Sequence, residues 1–252
     1  MRYFLQIQYK GTNYNGWQVQ ENTPNTVEQV LEEKLALILQ EKIDLIGCGR
    51  TDTGVHATNY FAHFDSEQEL INEKAQRLFK FNSVLPEDIG VTDIRKVKTD
   101  AHARFDAASR TYHYFLHQQK NPFLEEISWY LYGEIDFELM NKAADLFLST
   151  VDFTSFSKVN TQTKTNNCKV TYAKWEKMNE SEWRFVITAD RFLRNMIRAI
   201  VGTLILVGRK KITIDEFKKI IEQKNRSEAG MSVPAHALFL TDIKYPESIF
   251  SE

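Results

Sequence analysis

Apolar and polar positions alternate at the start of the chain, where the odd-numbered residues from Tyr3 to Tyr9 are apolar. This period of two predicts a β-strand. The period changes at Thr26, whose Thr-Val-Glu-Gln sequence has the spacing of a capping box. Apolar residues then recur on one helical face as far as Ile38, which predicts an amphipathic helix.

Two apolar runs, 43–48 and 59–64, flank a polar loop and predict a pair of strands. A helical pattern from about Ser66 to Phe81 follows, and then a strand around Val91–Val97. The order strand, helix, strand, strand, helix, strand is that of a split βαβ, ferredoxin-like unit.

The second half of the chain begins near Ala107 and repeats this order without clear sequence identity. Predicted strands cover 111–117, 168–177, 183–189 and 237–243, and predicted helices cover 136–147, 191–207 and 213–223. Asp136 and Thr213 have the character of helix N-caps, and Gly208 that of a helix stop. We therefore predict an α+β protein made of two halves, 1–106 and 107–252.

Composition narrows the class of protein. A 252-residue chain that is 42% hydrophobic can bury a sizeable core. Its longest apolar stretch, Ala199–Gly208, is half a membrane span, and its N-terminus lacks the layout of a signal peptide. We therefore expect a cytoplasmic protein without a membrane segment.

Metal and cofactor motifs are missing from the sequence. Cys48 and Cys168 lie far apart, without metal-ligand spacing. His113 and His117 share the parity of one strand face but have no third ligand nearby. No P-loop or dinucleotide fingerprint occurs, so we expect neither a metal nor a cofactor.

The loop between the two central strands of the first half is the strongest chemical signal. It reads Gly49-Arg-Thr-Asp-Thr-Gly-Val-His-Ala, which places Asp52 between two glycines and two positions after Arg50. Glycine permits a sharp turn and the close approach of a ligand. The spacing taken alone favours ordinary turn chemistry, since Asp also bonds its own backbone in turns.

The amino-acid sequence of this loop resembles the GRTDAGVHA signature of the tRNA pseudouridine synthase A family, from which it differs only at Thr53. The resemblance recurs in order along roughly 240 residues. Further family-like blocks begin at Tyr9, Phe81, Ala103, Asp152 and Phe192.

The resemblance implies a fold of two halves with antiparallel sheets side by side around a central cleft. It implies an isomerase that converts uridine to pseudouridine at positions 38, 39 and 40 of the tRNA anticodon stem-loop. The target base must be flipped out of its stack to be reached. The family needs no cofactor and works as a homodimer, with tRNA lying across both subunits.

Residue roles are carried over on matching motif positions. Asp52 is the expected nucleophile, and three routes stay open for it: attack at C1′, attack on the pyrimidine ring, or passage through a glycal. Arg50 is the expected wedge in the RNA stack and also a candidate cation that keeps Asp52 ionised. Tyr112, the first Tyr of Arg-Thr-Tyr-His-Tyr, is expected to stack on the uracil and to help remove its C5 proton. Arg198 is expected to pair with the catalytic aspartate and keep it ionised.

Leu238 matches a residue that lines the uracil pocket in the family. The family pattern there is close to A-P-A-x-G-L-x-L, whereas this chain has Ala237 in place of the glycine. Taken alone, Tyr112 would be interpreted as a core strand residue, and Tyr114 shares its parity.

The formal net charge of −2 requires that an RNA-binding chain segregate its charges. Arg191, Arg194 and Arg198 are spaced i, i+3 and i+7, which predicts a basic stripe on one helix. We expect Arg191 and Arg194 to contact the RNA backbone. The alternative is an ordinary solvated helix face.

Two other functions deserve comparison with the isomerase. A catalytically silent RNA-binding relative would use the same surface but would have no need of a nucleophile. A glycoside hydrolase needs a second carboxylate across the scissile bond, and the motif supplies an arginine instead. Asp93 and Asp106 are further acidic candidates, but neither lies in a glycine-flanked loop.

Overall fold

The computed structural model describes residues 1–21, 23, 25–158 and 163–250. Within this part the chain forms two compact units. The first comprises Met1–Ala108 together with residues from Leu240 onward, and the second comprises Ser109–Phe239. The predicted halves, 1–106 and 107–252, differ from these units because most of the last strand returns to the first one.

The first unit alternates strands and helices in the predicted order. Its elements are β1 (Arg2–Tyr9), α1 (Val27–Leu39), β2 (Ile46–Gly47), β3 (His56–Asp65), α2 (Lys74–Val84) and β4 (Ile89–Val97), and most of β9 (Leu238–Lys244) joins them. Its strand order is β4-β1-β3-β9, with β2 also pairing with β3. The pairs β1–β3, β1–β4 and β2–β3 are antiparallel, which is the predicted split βαβ arrangement.

Helix α1 starts at the predicted cap. The Thr26 side chain accepts a hydrogen bond from the Gln29 backbone N–H at 3.3 Å. The Gln29 amide donates onward to Glu33 at 3.0 Å, away from the start of the helix. The Thr26 N-cap is therefore confirmed, but the predicted capping box is incomplete because the Gln29 side chain bonds Glu33 instead of returning to the Thr26 backbone. The side chains of Leu31, Leu35 and Leu39 form the buried face of the helix.

Helix α2 begins at Lys74, later than the predicted start at Ser66. The Ser66 hydroxyl and the Glu67 backbone N–H both donate to the Glu41 carboxylate, each at 3.1 Å. The Leu70 backbone N–H donates to the buried Tyr3 hydroxyl at 3.3 Å. These tertiary bonds hold residues 66–70 as a loop, so tertiary contacts override the helical pattern there.

The second unit is also α+β. Its elements are β5 (Ser109–His117), β6 (Trp129–Tyr130), α3 (Phe137–Ala144), β7 (Val170–Lys177), β8 (Glu182–Ala189), α4 (Met196–Gly208) and α5 (Ile214–Gln223). The β5–β8 and β8–β7 pairs are antiparallel, which repeats part of the strand order of the first unit. The short strand β6 pairs with β5 in parallel. The α+β class is therefore confirmed. The predicted caps are present as well, since Asp136 caps α3 and Thr213 forms a complete capping box on α5.

Helix α4 begins at Met196, five residues after the predicted start at Arg191. Asn195 precedes it in the left-handed conformation, with φ of 64°, which breaks the helical path. Upstream, the Asp190 carboxylate accepts the backbone N–H groups of Lys169 and Arg191, at 2.8 and 2.7 Å. The predicted helical stripe of three arginines is therefore wrong, because only Arg198 lies on the helix.

No helix in the described ranges is long and apolar enough to cross a bilayer. The apolar stretch singled out in the sequence lies in α4, which has 13 residues, nearly all of them buried.

Candidate functional site

The loop that carries Asp52 is a tight turn in the first unit. The Val55 backbone N–H donates to the Asp52 carbonyl at 3.1 Å, so residues 52–55 form a β-turn. Gly54 occupies the third position with φ of 80°, a conformation that L side chains rarely adopt. The half-buried Asp52 side chain therefore stands at the first position of a turn that requires its glycine.

Two glycines of the N-terminal segment hold this loop on either side of Asp52. A Cβ on Gly16 would lie 2.5 Å from the Thr51 carbonyl oxygen, and a Cβ on Gly11 would lie 2.0 Å from that of Val55. The close approach permits backbone hydrogen bonds, such as Trp17 N–H to the Thr51 carbonyl at 3.3 Å. The backbone on both sides of Asp52 is thus fixed by backbone contacts that no other residue type would allow.

Buried side chains also anchor the same loop. The Tyr9 and Thr51 hydroxyls share a buried hydrogen bond of 2.9 Å. The Gly11 backbone N–H donates to Nδ1 of the buried His56 at 2.9 Å, which fixes that nitrogen as an acceptor. A loop anchored at this many points is preorganised in the manner expected of a catalytic loop.

A stacked aromatic pair, Trp17 and Tyr60, supports the start of the loop. The ring centroids lie 4.0 Å apart at an interplanar angle of 26°, and both side chains are buried. The Tyr60 hydroxyl donates to the Gly49 carbonyl. Trp17 Nε1 donates to the Glu28 carboxylate at 3.0 Å, so the pair is fixed from α1. We call Trp17, Glu28 and Tyr60 the aromatic support.

Gly47 is the glycine that the aromatic support requires. A Cβ there would lie 2.1 Å from the Tyr60 hydroxyl and 2.5 Å from Trp17 Nε1. Gly49 differs, because a Cβ there would meet no atom of the described residues within 4 Å. The space beside Gly49 is open, as expected of a position that a ligand approaches.

Arg50 lies between Gly49 and Thr51 with its side chain exposed. Burial raises the pKa of the Glu28 carboxyl group, and the positive charge of Arg50 is the smallest of the effects that oppose this rise. Arg50 and Asp52 therefore stand on one anchored loop, with the arginine projecting toward solvent.

The alternative carboxylates are both engaged in structural contacts. Asp93 forms ion pairs with Lys74 and Arg95, and these cations lower its pKa against the raising effect of burial. Asp106 accepts the His102 backbone N–H at 2.7 Å. Neither carboxylate has the loop setting of Asp52.

In the second unit, Tyr112 and Tyr114 share the buried face of β5, as predicted from their parity. Tyr112 packs edge to face with Phe192 at a centroid distance of 5.1 Å and is 9% exposed. The Tyr114 hydroxyl donates to the Pro234 carbonyl at 3.1 Å, and that side chain is fully buried. Tyr114 thus has a structural role, and Tyr112 is the better candidate for contact with a base.

Arg198 is half-buried in the first turn of α4 and is bound to Val233 in two ways. Its Nε donates to the Val233 carbonyl at 2.7 Å, and its own carbonyl accepts the Val233 N–H at 3.2 Å. Gly202, one helical turn later, allows this approach, since a Cβ there would lie 1.8 Å from the Met231 carbonyl oxygen. Within the second unit, a backbone carbonyl is therefore a partner of this arginine.

Leu238 begins β9 and is 5% exposed. It follows the short 3-10 helix Ala235–Ala237, and Ala237 is fully buried without the positive φ that would demand glycine. The methyl group of Ala237 is therefore accommodated without backbone strain. Val233, which binds Arg198, lies only five residues before Leu238 in the chain. Pro234 and this 3-10 helix connect the two.

Arg191 and Arg194 lie in the irregular segment before α4, the first half-buried and the second exposed. The Arg194 carbonyl accepts the Lys158 backbone N–H at 3.1 Å, so the backbone of this segment is held.

The structure thus places Arg50 and Asp52 on one loop of the first unit, and the remaining predicted residues in the second unit. Sequence reasoning missed the aromatic support, although Gly16 and Trp17 stand in the family-like block that begins at Tyr9. Within the described ranges, no group of three His, Cys, Asp or Glu side chains is arranged to hold a metal ion.

Comparison with known proteins follows this geometry. The family described as tRNA pseudouridine synthase matches residues 6–106 and 143–246. Three relatives each bear the name tRNA pseudouridine synthase A. The protein of Bacteroides thetaiotaomicron is 50% identical over all of this chain and 93% of its own length. Those of Porphyromonas gingivalis and Parabacteroides distasonis are 50% and 51% identical over 99% of this chain, and over 99% and 98% of their own lengths.

Proposed function

The chain belongs to the tRNA pseudouridine synthase family, and we propose that it isomerises uridines 38, 39 and 40 in the tRNA anticodon stem-loop, with Asp52 as the nucleophile. The observation that carries the proposal is the anchored turn that presents Asp52 beside Arg50. Hydrogen bonds to Thr51 and to the Asp52 carbonyl fix the loop before any substrate binds. Preorganised groups of this kind are typical of catalytic positions.

The proposed reaction rearranges one nucleoside without net loss of atoms. The N1–C1′ glycosidic bond breaks, the uracil rotates, and a C5–C1′ bond forms. The proton on C5 leaves, and N1 of the rotated ring gains a proton. A carboxylate such as Asp52 can hold the reacting centre covalently between these steps, which divides one hard step into two easier ones.

The other site residues take the roles that the family resemblance implies. Arg50 occupies the gap left in the RNA stack when the target base is flipped, and its exposed side chain on an anchored loop supports this role. Tyr112 stacks on the uracil and helps remove the C5 proton, and Leu238 lines the uracil pocket. Arg198 serves as the cation that keeps the aspartate ionised.

Arg191 and Arg194 contact RNA phosphates in this proposal. Although they do not form a helical stripe, both stand in the held segment before α4, and Arg194 is exposed. The protein acts in the cytoplasm as a homodimer on tRNA, without a cofactor.

The test uses purified protein and anticodon stem-loops that carry uridine tritiated at C5. Each RNA has a single labelled uridine, at position 38, 39 or 40, or at a neighbouring loop position as the control. The proposal predicts tritium release from the first three RNAs alone. Sedimentation of the same sample should give the mass of two chains.

Release from the control RNA alone would contradict the proposed target positions. Tight RNA binding without release from any substrate, full-length tRNA included, would identify the chain as a catalytically silent RNA-binding relative.

A further inference from the structure

A turn of the first unit, residues 102–106, presents an aromatic ring to solvent. Phe105 is 73% exposed, whereas Ala103, two residues earlier, is fully buried. The turn follows β4 and lies outside the Asp52 loop. An exposed apolar side chain is common on protein surfaces, so exposure alone would carry no inference.

The turn is internally braced. The His102 backbone N–H donates to the Asp106 carboxylate at 2.7 Å, and the Asp106 N–H returns to the His102 carbonyl at 3.0 Å. Nδ1 of His102 accepts the Arg104 backbone N–H at 3.1 Å. These bonds fix the backbone conformation of the turn that carries Phe105.

The turn is also tied to the core of the first unit through Ala103. The Ala103 backbone N–H donates to Nδ1 of the buried His63 at 3.1 Å. The Ala103 carbonyl accepts the Tyr245 hydroxyl at 2.6 Å. The backbone that carries the exposed Phe105 ring is therefore anchored to the core of the first unit.

The surroundings of the ring indicate the chemistry of a partner. The His102 ring backs Phe105 at a centroid distance of 4.2 Å, and the Arg104 guanidinium carbon lies 5.6 Å over it. A π surface beside a cation suits RNA, because unpaired bases stack on aromatic rings and arginine attracts the adjoining phosphate. Arg104 can itself stack on a base through its planar guanidinium group.

Another exposed phenylalanine shows what the pairing adds. Phe123 of the second unit is 92% exposed, and Glu125 and Glu126 follow it closely in the sequence. Asp106 also follows Phe105, but its carboxylate accepts the His102 backbone N–H, and Arg104 lies over the Phe105 ring. Phe123 thus provides a control of the same residue type without the cation.

We propose that Phe105 and Arg104 form a stacking site for an unpaired nucleobase of the tRNA substrate, separate from the residues that perform the isomerisation. The inference rests on the proposed tRNA activity. The ring supplies the stacking surface, and the guanidinium supplies attraction to the phosphate next to the stacked base.

The experiment measures the Kd for full-length tRNA with Phe105→Ala, Phe105→Tyr, Arg104→Ala and Phe123→Ala. Phe105→Ala should weaken binding about tenfold, within the range measured for loss of one base stack. Phe105→Tyr should restore binding. Arg104→Ala should weaken binding and lower the salt slope by about 1. Phe123→Ala should bind as the wild type does.

A blunt-ended, fully paired RNA duplex of similar length is the second probe, and Phe105→Ala should bind it as the wild type does because no unpaired base is available to stack. Thermal melting should not change in either alanine variant of an exposed Phe. Wild-type affinity for tRNA in Phe105→Ala would overturn the proposal, and so would an equal loss in Phe123→Ala. Turnover of the wild type, measured in parallel, tests the proposed function separately.

Discussion

Removing one hydroxyl from the aromatic support, by Tyr60→Phe, should separate loop positioning from overall stability. The hydroxyl donates to the carbonyl of Gly49, three residues before Asp52. Burial raises the pKa of Tyr60 well above its ordinary value, and the neighbouring Cys48 and Tyr9 add to this effect, so the phenol remains a donor. Phenylalanine keeps the stacking on Trp17 and loses only the hydrogen bond.

The expected cost in unfolding free energy is about 1–2 kcal/mol, in the range for depriving a partly buried carbonyl of its donor. In a chain of this length that corresponds to a fall in Tm of roughly 2–8 °C. The effect on turnover should be larger, because misplacing a reacting group by about 1 Å can cost about 100-fold. We expect kcat to fall about 10- to 100-fold, with the Kd for tRNA within about threefold of the wild type.

The assay is tritium release at saturating tRNA, together with thermal melting of the same preparation. Tyr3→Phe is the matched control. That tyrosine is also fully buried in the first unit, and its hydroxyl donates to the Gln68 carbonyl at 3.0 Å, away from the Asp52 loop. Because this hydroxyl also accepts the Leu70 backbone N–H, Tyr3→Phe should lower Tm at least as much and leave kcat unchanged. A wild-type kcat in Tyr60→Phe, despite a lowered Tm, would refute the positioning role.

Three further changes test other parts of the account. Gly47→Ala should destabilise the fold by about 1–3 kcal/mol through overpacking against Tyr60. Gly49→Ala should keep the wild-type Tm but bind tRNA more weakly. Equal Tm values for the two variants would contradict this. Burial, with His102 adding, lowers the pKa of His63 to about 4, so the folded state binds fewer protons than the unfolded chain. Stability should therefore be full above about pH 6.5 and fall by up to about 3 kcal/mol toward pH 4, with a flatter profile in His63→Asn by denaturant titration. Arg198→Ala should lower both Tm and kcat because it removes the bond to the Val233 carbonyl, and unchanged values of both would show that the arginine is dispensable.

Elements with a strong local signal were predictable from the sequence. The caps at Thr26, Asp136 and Thr213 lie where side-chain oxygens can bond the first free backbone N–H groups of a helix. Alternation in β1 and β5 identified their buried faces, because side chains of successive strand residues point to opposite sides.

Errors arose where tertiary contacts compete with local pattern. The residues before α2 have a helical pattern, but Glu41 and the Tyr3 hydroxyl bind their polar groups in a loop. The start of α4 was misplaced because Asn195 adopts the left-handed conformation, which the spacing of the arginines does not reveal. Because α4 starts only at Met196, Arg191 and Arg194 do not share a helix with Arg198.

The candidate site shows the same division. The loop at Asp52 was predictable because its glycines and its charged residues are adjacent in the chain. The aromatic support was not, since Trp17, Glu28 and Tyr60 are separated in sequence and meet only through the fold. The structural use of Tyr114 was also hidden, because it depends on a carbonyl 120 residues away.

The most direct test of the central claim compares Asp52→Asn with Asp93→Asn on tRNA tritiated at C5 of uridine. The substitution at Asp52 keeps the size of the side chain and removes the nucleophile, whereas Asp93 serves ion pairs with Lys74 and Arg95. The account predicts that Asp52→Asn binds tRNA with nearly wild-type affinity and releases no tritium. Asp93→Asn should lose stability and retain turnover. Sustained tritium release by Asp52→Asn would contradict the assignment of Asp52 as the nucleophile.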